Sequence, residues 1–238
     1  MGGRVEIGRV AKIHRYPVKS MRGQTVAGVD VRWNGLDGDR QYAFLKTADM
    51  SRFPWATGRI FAGMILWQAR YEDDARPKAS RVHVTMDDNS VHEVTAPELT
   101  ARLSAEAGAD VGLIRLARGT FDSMPVSLVG RQTLDNLADK SEGAVEALRF
   151  RPNIVIDRGL ERDWIGGRLV FEDSPLRLRV DRPIERCSMI TIDPATADRN
   201  AKLMRTVVED FNNEIGVYCT PEVPGALVAG AKVWLQPA

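Results

Sequence analysis

One cysteine-bearing segment holds the residue type with the widest chemistry in this sequence. Cys187 directly follows Arg186, and the other cysteine of the chain is Cys219. A fixed positive charge beside a thiol favours the thiolate, which is the form that binds soft metals and attacks electrophiles. Apolar residues over 184–192 also predict a strand, and a buried structural thiol is the commoner outcome for such a cysteine. Both interpretations stay open on this segment alone.

Two turns in the first 40 residues carry groups that donate hydrogen bonds to anions. Lys19 and Ser20 follow the first predicted strand, and Arg40 ends the glycine-rich turn GLDGDR. Ammonium, hydroxyl and guanidinium groups suit phosphate-type oxygens, so the two turns predict an anion site. A solvated loop is the alternative for the first turn, and an ion pair of Arg40 with Asp39 is the alternative for the second.

A third set of polar side chains precedes the apolar strand predicted at 154–156. Arg149 and Arg151 would point to the same side of an extended backbone. Asn153 adds an amide that both donates and accepts hydrogen bonds. These residues predict a second contribution to an anion site, and pairing with neighbouring carboxylates is an equally good interpretation.

Several common functional sites have no support in this sequence. The three histidines lack a metal-ligand spacing, and there is no HExxH, paired CxxC, P-loop, GxGxxG or GxSxG pattern, which disfavours a serine hydrolase. Lys plus Arg number 33 against 32 for Asp plus Glu, so we expect no nucleic-acid partner and no membrane surface. Two cysteines and the lack of a long apolar run predict a soluble, cytoplasmic protein.

Strand patterns outnumber helical ones along the chain. Helices are predicted at 132–140, at 202–212, and from a capping box of Thr95 and Glu98 to Gly108. Many strands with isolated helices predict a mainly β, α+β fold that contains a barrel rather than a doubly wound sheet. The predicted strands lie at 5–13, 26–31, 40–45, 81–85, 91–94, 113–116, 154–156, 168–171, 176–180, 184–192 and 232–235.

Taken together, these segments resemble the MOSC family, the molybdenum cofactor sulfurase carboxy-terminal domain, preceded by its amino-terminal β-barrel domain. YPVKS and GLDGDR are similar to the amino-terminal signature, and RFRPNIVID and ERCSMITIDP are similar to the MOSC core. The order and spacing match over essentially the whole chain. The resemblance implies a smaller β-barrel-like domain at 1–120 and a MOSC domain at 121–238.

The resemblance also implies a cofactor and the residues that bind it. The thiol of Cys187 would ligate the metal of molybdenum-molybdopterin and would be the catalytic ligand, because such a centre takes a further sulfur ligand from protein. The family is also associated with pyridoxal phosphate binding. The residues that would hold the pterin and its phosphate are Lys19, Ser20, Arg40, Ser123, Arg151, Asn153, Arg186 and Tyr218.

The activity implied by the resemblance is that of an oxidoreductase. Related proteins of the amidoxime-reducing type reduce N-hydroxylated small molecules. Some bacterial relatives carry a fused ferredoxin domain, and this sequence reaches Ala238 without one, so we expect electrons from a separate flavin or iron–sulfur protein. The alternatives are a cofactor or sulfur carrier with a persulfide on Cys187, and a family member that has lost cofactor binding. Two departures stand out: Glu185 replaces a small residue of eukaryotic relatives, and Ala197 replaces the usual glycine.

Overall fold

A computed structural model describes residues 3–141 and 143–237 of the chain, which form a mainly β fold with three α-helices. The helices are α1 (Pro97–Ala107), α2 (Arg131–Ser141) and α3 (Ala201–Phe211). The strands are β1 (Val5–Arg15), β2 (Gln24–Val26), β3 (Gly28–Arg32), β4 (Gly35–Leu36), β5 (Tyr42–Lys46), β6 (Gln68–Tyr71), β7 (Val82–Thr85), β8 (Val91–Glu93), β9 (Val111–Arg115), β10 (Val126–Gly130), β11 (Ile154–Ile156), β12 (Arg168–Phe171), β13 (Arg177–Glu185), β14 (Glu214–Val223), β15 (Gly225–Val228) and β16 (Lys232–Gln236).

The largest sheet closes into a barrel. Its strand order is β11-β10-β14-β13-β12-β16-β1-β2, and β1 also pairs with β11, so seven strands form a closed ring. Register shifts after Glu6 and Val10 divide β1 into parts that pair with different neighbours, as β-bulges do in bent barrel strands. Apolar side chains such as Val10, Leu128 and Leu178 fill its core. The predicted mainly β, barrel-containing fold is confirmed.

The remaining strands form smaller sheets beside the barrel. The sheets β6-β7-β8 and β5-β9 enclose a separate apolar core that runs from Val18 to Val111 and includes Trp67 and Leu99. A third sheet, β15-β3-β4, joins an early strand pair to a late strand. Because β1 and β3 pair with strands beyond residue 120, the two halves share main-chain hydrogen bonds, and the division at residue 120 stays a prediction.

The predicted helices are present, although the start of the first one differs. Helix α1 ends at Gly108, whose φ of 59° is the left-handed conformation expected of a C-terminal glycine. The capping box is wrong: the N-cap is Ala96, followed by Pro97, and the Thr95 hydroxyl instead donates to Glu93 Oε1 at 3.3 Å. No helix of the described residues is long and apolar enough to cross a membrane.

Two segments predicted to be extended are turns. Strand β13 ends at Glu185, and a 3-10 helix follows at Ser188–Thr191, where the Thr191 hydroxyl donates to the Ser188 carbonyl at 2.8 Å. A second 3-10 helix, Ala147–Phe150, precedes Arg151, which has a left-handed φ of 53°. The predicted strand at 184–192 and the extended backbone at 149–151 are therefore wrong, because local hydrogen bonds form tight turns in both places.

Candidate functional site

One cleft collects the chemistry-bearing residues of both halves of the chain. Its volume is about 320 Å³, a size typical of small-molecule sites. Among the described residues that line it, six carry a cationic side chain and two carry a carboxylate. Eight of the nine residues proposed from the sequence are among them: Lys19, Ser20, Arg40, Arg151, Asn153, Arg186, Cys187 and Tyr218.

Ser123 is the proposed residue that the structure does not bring to the cleft. Its neighbours Asp122 and Met124 line the cleft, but the exposed Ser123 hydroxyl accepts a hydrogen bond from Arg182 Nη2 at 2.5 Å. The Arg182 guanidinium lies over the Tyr218 ring, with 5.2 Å from the guanidinium carbon to the ring centroid. Ser123 therefore contacts the residue behind Tyr218 rather than the cleft itself.

Lys19, Arg40 and Arg151 form what we call the cationic wall of the cleft. Lys19 is buried, so the solvated-loop alternative is wrong. Its Nζ donates to the Thr120 carbonyl at 2.7 Å and to Asp122 Oδ1 at 2.6 Å. Burial lowers the pKa of Lys19 although Asp122 acts in the opposite direction. The wall therefore holds its ammonium group in place through protein contacts on one side of the cleft.

The two guanidinium groups of the wall share one aromatic ring. The guanidinium carbons of Arg40 and Arg151 lie 4.6 and 4.4 Å from the Tyr16 ring centroid. Arg40 forms the ion pair with Asp39 that the sequence left open, and it donates to the Arg151 carbonyl at 3.0 Å. The Tyr16 ring thus contacts two cations, which stabilises them through cation–π attraction.

Arg151 is the wall residue with an unmet hydrogen-bonding demand. Its Nη2 is buried and has no hydrogen-bond partner among the described residues. Burial lowers the pKa of Arg151 to about 10, the direction expected when a cation is taken out of water. A buried, unpartnered guanidinium nitrogen is costly in an isolated protein, and an anionic oxygen is its natural complement. The wall is therefore suited to bind an anion.

Backbone strain is concentrated at the same place. Ser20, Arg40 and Arg151 have φ values of 68°, 49° and 53°, in the left-handed region that favours glycine. Each such residue costs on the order of 1 kcal/mol, and residues of this kind cluster at ligand-binding sites. Three strained positions around one cleft indicate that the fold tolerates unfavourable backbone conformations here in order to place these side chains.

Asn153 joins the two halves of the chain behind the wall. Its Oδ1 accepts from Ser127 N and Ser127 Oγ, each at 3.1 Å, and from Arg40 Nη1 at 3.4 Å. Its Nδ2 donates to the His14 carbonyl at 3.2 Å, and its main chain also pairs with His14. With its amide largely occupied by protein partners, Asn153 positions Arg40, and its predicted contact with a pterin stays a prediction.

Cys187 is exposed, so the buried-thiol alternative is wrong. Cys219 is the buried thiol: it lies in the barrel core, where burial raises its pKa. Cys187 is the N-cap of the 3-10 helix Ser188–Thr191 and lies two residues beyond Glu185, and Met189 of that turn also lines the cleft. We call residues 185–189 the thiol segment. This segment brings the exposed thiol of Cys187 to the cleft.

Arg186 fixes the thiol segment to the barrel. Its Nε donates to the Ile215 carbonyl at 2.7 Å and its Nη1 to the Phe150 carbonyl at 3.1 Å. Burial lowers the pKa of Arg186 to about 10. A Cβ at Gly216 would lie 2.9 Å from Arg186 Nη2, so glycine at that position leaves room for the guanidinium. Tyr218, two residues further along β14, has its pKa raised by burial.

Some residues of the cleft carried no clear signal in the sequence. Phe53, Thr57 and Arg59 come from the segment between β5 and β6, where no motif is present. Tyr16 belongs to the YPVKS motif, whose aromatic residue beside a cation could have indicated stacking. Arg149 pairs with Asp193 at 2.7 Å, so the carboxylate alternative describes Arg149.

Family models match both halves of the chain. The MOSC domain matches residues 115–234, and the MOSC N-terminal beta barrel domain matches residues 7–124. The chain belongs to the MOSC family. The recognition from sequence motifs is confirmed. The crystal structure of the YuaD protein from Bacillus subtilis is similar over 100% of both chains, with a TM-score of 0.55 and 13% identity, which shows that this MOSC protein shares its fold.

Two curated relatives match part of this MOSC protein. Over 91 residues it is 35% identical to Molybdenum cofactor sulfurase 2 of Culex quinquefasciatus, which covers 36% of this chain and 10% of that protein. Over 95 residues it is 39% identical to Molybdenum cofactor sulfurase of Anopheles gambiae, covering 34% of this chain and 12% of that protein. The match thus spans about a tenth of the length of these relatives.

The cleft is chemically suited to a metal that brings most of its own ligands. No group of three His, Cys, Asp or Glu side chains in residues 3–141 and 143–237 is arranged to hold a metal ion. Cys187 is an exposed thiol and can act as a soft metal ligand. The cationic wall of the same cleft supplies hydrogen-bond donors for an anion. A single thiol with an anion-binding wall fits an anionic organic cofactor that carries a soft metal.

Proposed function

We propose that this MOSC protein binds molybdenum-molybdopterin in the cleft and reduces N-hydroxylated small molecules with electrons from a separate redox protein. The observation that carries the proposal is that one cleft contains both the exposed thiol of Cys187 and the buried, unpartnered Nη2 of Arg151. The relatives named molybdenum cofactor sulfurases support the association with this cofactor.

Each part of the cleft has a task in this proposal. Cys187 would ligate molybdenum, and the wall residues with Ser20 would hold the phosphate through charge-assisted hydrogen bonds. Arg186 and Tyr218 would flank the pterin, and Asn153 would keep Arg40 in position. Ser123 has no part in the proposal, since its hydroxyl is held by Arg182 outside the lining.

The protein contributes binding and orientation rather than acid–base chemistry. Bound molybdenum-molybdopterin supplies two-electron redox chemistry. Reduction of an amidoxime to an amidine takes up two electrons and two protons, breaks the N–O bond and releases one water. The apolar side chains Phe53, Phe121 and Met189 line the same cleft and would exclude water from the bound substrate.

Pyridoxal phosphate, which the resemblance also implies, is a poorer fit to this cleft. That cofactor binds covalently through a free lysine amine. Lys19 is the lysine among the described lining residues, and its Nζ is already bonded to Thr120 and Asp122. The contacts of Lys19 instead suit a fixed positive charge beside a phosphate.

Electrons would come from outside the chain. Its sequence has neither the cysteine set of an iron–sulfur cluster nor a nucleotide-binding fingerprint. We therefore propose a flavin or iron–sulfur protein as a transient partner, and a reducing compartment such as the cytoplasm, which would keep Cys187 free.

Metal and pterin analysis of the purified protein tests the proposal. We expect about one molybdenum and one pterin per chain, no turnover with NADH alone, and conversion of benzamidoxime to benzamidine once a reduced low-potential dye or a reductase is added. The proposed reductase activity would be refuted if protein that contains molybdenum leaves N-hydroxylated compounds unchanged, both with the dye and with an added electron-donor protein.

A sulfur carrier is the second candidate, and the exposure of Cys187 favours it. In that case a cysteine desulfurase would transfer sulfane sulfur to the thiolate of Cys187 and form a persulfide, with no substrate turned over. Mass spectrometry after incubation with a desulfurase and cysteine distinguishes the two. Stable addition of one sulfur to Cys187 in protein without reductase activity would support the carrier.

A further inference from the structure

Glu185 is an acidic residue of the cleft that the proposed cofactor site does not use. Its side chain is exposed and lines the cleft, and within residues 3–141 and 143–237 it makes no hydrogen bond or ion pair. The other lining carboxylate, Asp122, is bonded to Lys19. Glu185 is therefore an available negative charge in a cleft whose lining is otherwise rich in cations.

The backbone places this carboxylate beside the thiol. Exposure alternates from the buried Ile184 through the exposed Glu185 and half-buried Arg186 to the exposed Cys187, which is the pattern of an extended chain. Residues two apart on such a chain lie on one side, about 7 Å apart. Arg186 points the other way, into the carbonyls of Ile215 and Phe150. Glu185 thus faces the same space as the proposed metal ligand.

The cations nearby leave Glu185 without a committed partner. Lys19 pairs with Asp122, Arg40 with Asp39, and Arg149 with Asp193. Arg186 donates to main-chain carbonyls, and the guanidinium carbon of Arg59 lies 4.4 Å from the Phe53 ring centroid. Arg151 has the open position of the wall, and a phosphate there would bring about two negative charges. Once such an anion is bound, it offsets the positive charge of the wall, and a positive group becomes a favourable neighbour for Glu185.

The cleft that Glu185 lines also contains apolar side chains. Phe53, Phe121 and Met189 line the cleft with it, and Phe53 is about one third exposed at 37%. An aromatic or aliphatic body could pack there while a planar cation reaches the carboxylate. Amidinium and guanidinium groups pair with carboxylates through two parallel hydrogen bonds, which adds geometric selectivity to the charge.

We infer that Glu185 selects ligands that carry an amidinium or guanidinium charge on an apolar body, and that it discriminates against neutral and anionic analogues. The inference rests on the proposed function, because it assigns the substrate class of the same cleft. Amidoximes are neutral at neutral pH and their amidine products are cationic, so Glu185 would favour the product over a neutral amidoxime and, among substrates, those that carry a separate amidinium or guanidinium group.

Calorimetric titration of the purified, molybdenum-assayed protein with benzamidine and with benzamide, its neutral analogue, tests this inference. We expect wild type to bind benzamidine about tenfold more tightly than benzamide, a difference of about 1.4 kcal/mol. Glu185→Gln should reduce that ratio at least fivefold, and Glu185→Asp should retain most of it. Glu214→Gln is the matched control, because Glu214 pairs with Glu185 across β13 and β14, is bonded to Arg162 and is absent from the cleft lining.

A wild-type ratio near one, or an unchanged ratio in Glu185→Gln, would overturn the inference. The molybdenum content of the same samples separates it from the proposed function. Loaded protein whose ratio ignores Glu185 refutes the charge selection alone. Protein that never carries molybdenum, yet loses its benzamidine preference in Glu185→Gln, refutes the reductase while the charge selection stands.

Discussion

The cationic wall and the thiol segment face the same cleft but are built in opposite ways. Lys19, Arg40 and Arg151 are buried or half-buried, and the two arginines stack on Tyr16. The side chains of Cys187 and Glu185 in the thiol segment are exposed and have no hydrogen-bond or ion-pair partner within residues 3–141 and 143–237. A wall fixed in advance binds an anion at little further cost in ordering, whereas an accessible thiol can reach a metal or an electrophile.

The difference also shows where stability is given up. The wall combines left-handed backbone at Arg40 and Arg151 with a buried guanidinium nitrogen that has no partner in the part of the chain that the structure describes. The surrounding barrel must hold these groups in place, and it does so through Asn153 and the strands on either side of it. The fold thus holds the side chains of the wall in position, whereas the side chains of the thiol segment are left accessible.

The largest expected effect separates the two cysteines. Cys187→Ala should lower the molybdenum content at least a hundredfold, because the accessible soft ligand is removed, while the melting temperature of the cofactor-free protein stays the same. Cys219→Ala should keep the metal and lose about 1 kcal/mol of stability as a small core cavity forms. Elemental analysis and thermal unfolding measure both. Full molybdenum occupancy in Cys187→Ala would remove the thiol segment from the site.

Acid should weaken the support of the wall. Burial, aided by Lys12, lowers the pKa of His14 from 6.5 to about 4. The neutral ring is the form that the fold accepts, so its contribution is complete above pH 6.5 and is lost as the pH falls towards 4, by about 3 kcal/mol. His14→Asn should flatten this part of the stability curve, measured by denaturant titration at several pH values. An equally steep curve in the variant would show that other groups cause the loss.

Arg151 should separate binding from stability. Arg151→Met keeps most of the side-chain volume but removes the buried charge, so cofactor retention should fall about tenfold while the free energy of unfolding changes by less than about 1 kcal/mol. Dialysis with pterin fluorescence gives the retention, and urea titration gives the stability. A loss of several kcal/mol in unfolding would mean that the guanidinium is mainly structural.

The smallest expected effect concerns strain outside the cleft. Ala197 has a φ of 64° in a turn that the Asp193 carbonyl closes by accepting the Ala197 amide at 2.9 Å. Ala197→Gly should stabilise the protein by up to about 1 kcal/mol without changing cofactor content. Ser20→Gly, at a φ of 68°, should relieve similar strain but lower cofactor retention, because it removes a hydroxyl of the cleft. Equal retention in both variants would remove Ser20 from the site.

The fold class could be predicted because it depends on local patterns. Alternating apolar residues gave most strands within a few residues, and Gly108 ended α1 as expected. The failures were at Thr95, which does not cap the helix, and at 149–151 and 184–192, which form turns. In those places local side-chain and main-chain hydrogen bonds decide the backbone conformation, and the spacing of apolar residues gives no information on such bonds.

The residue types of the site were determined by the sequence, since a thiol beside an arginine and the lysine, serine and arginine of two turns are visible in the chain itself. Only the tertiary structure decided which of them share a cleft, that Cys187 is exposed and Cys219 buried, and that Ser123 turns to Arg182. It also decided that the Tyr16 ring contacts two guanidinium groups and that the Glu185 side chain has no ion-pair partner among the described residues. Burial and partner choice depend on strands distant in sequence that pair across the barrel, and no local pattern contains that information.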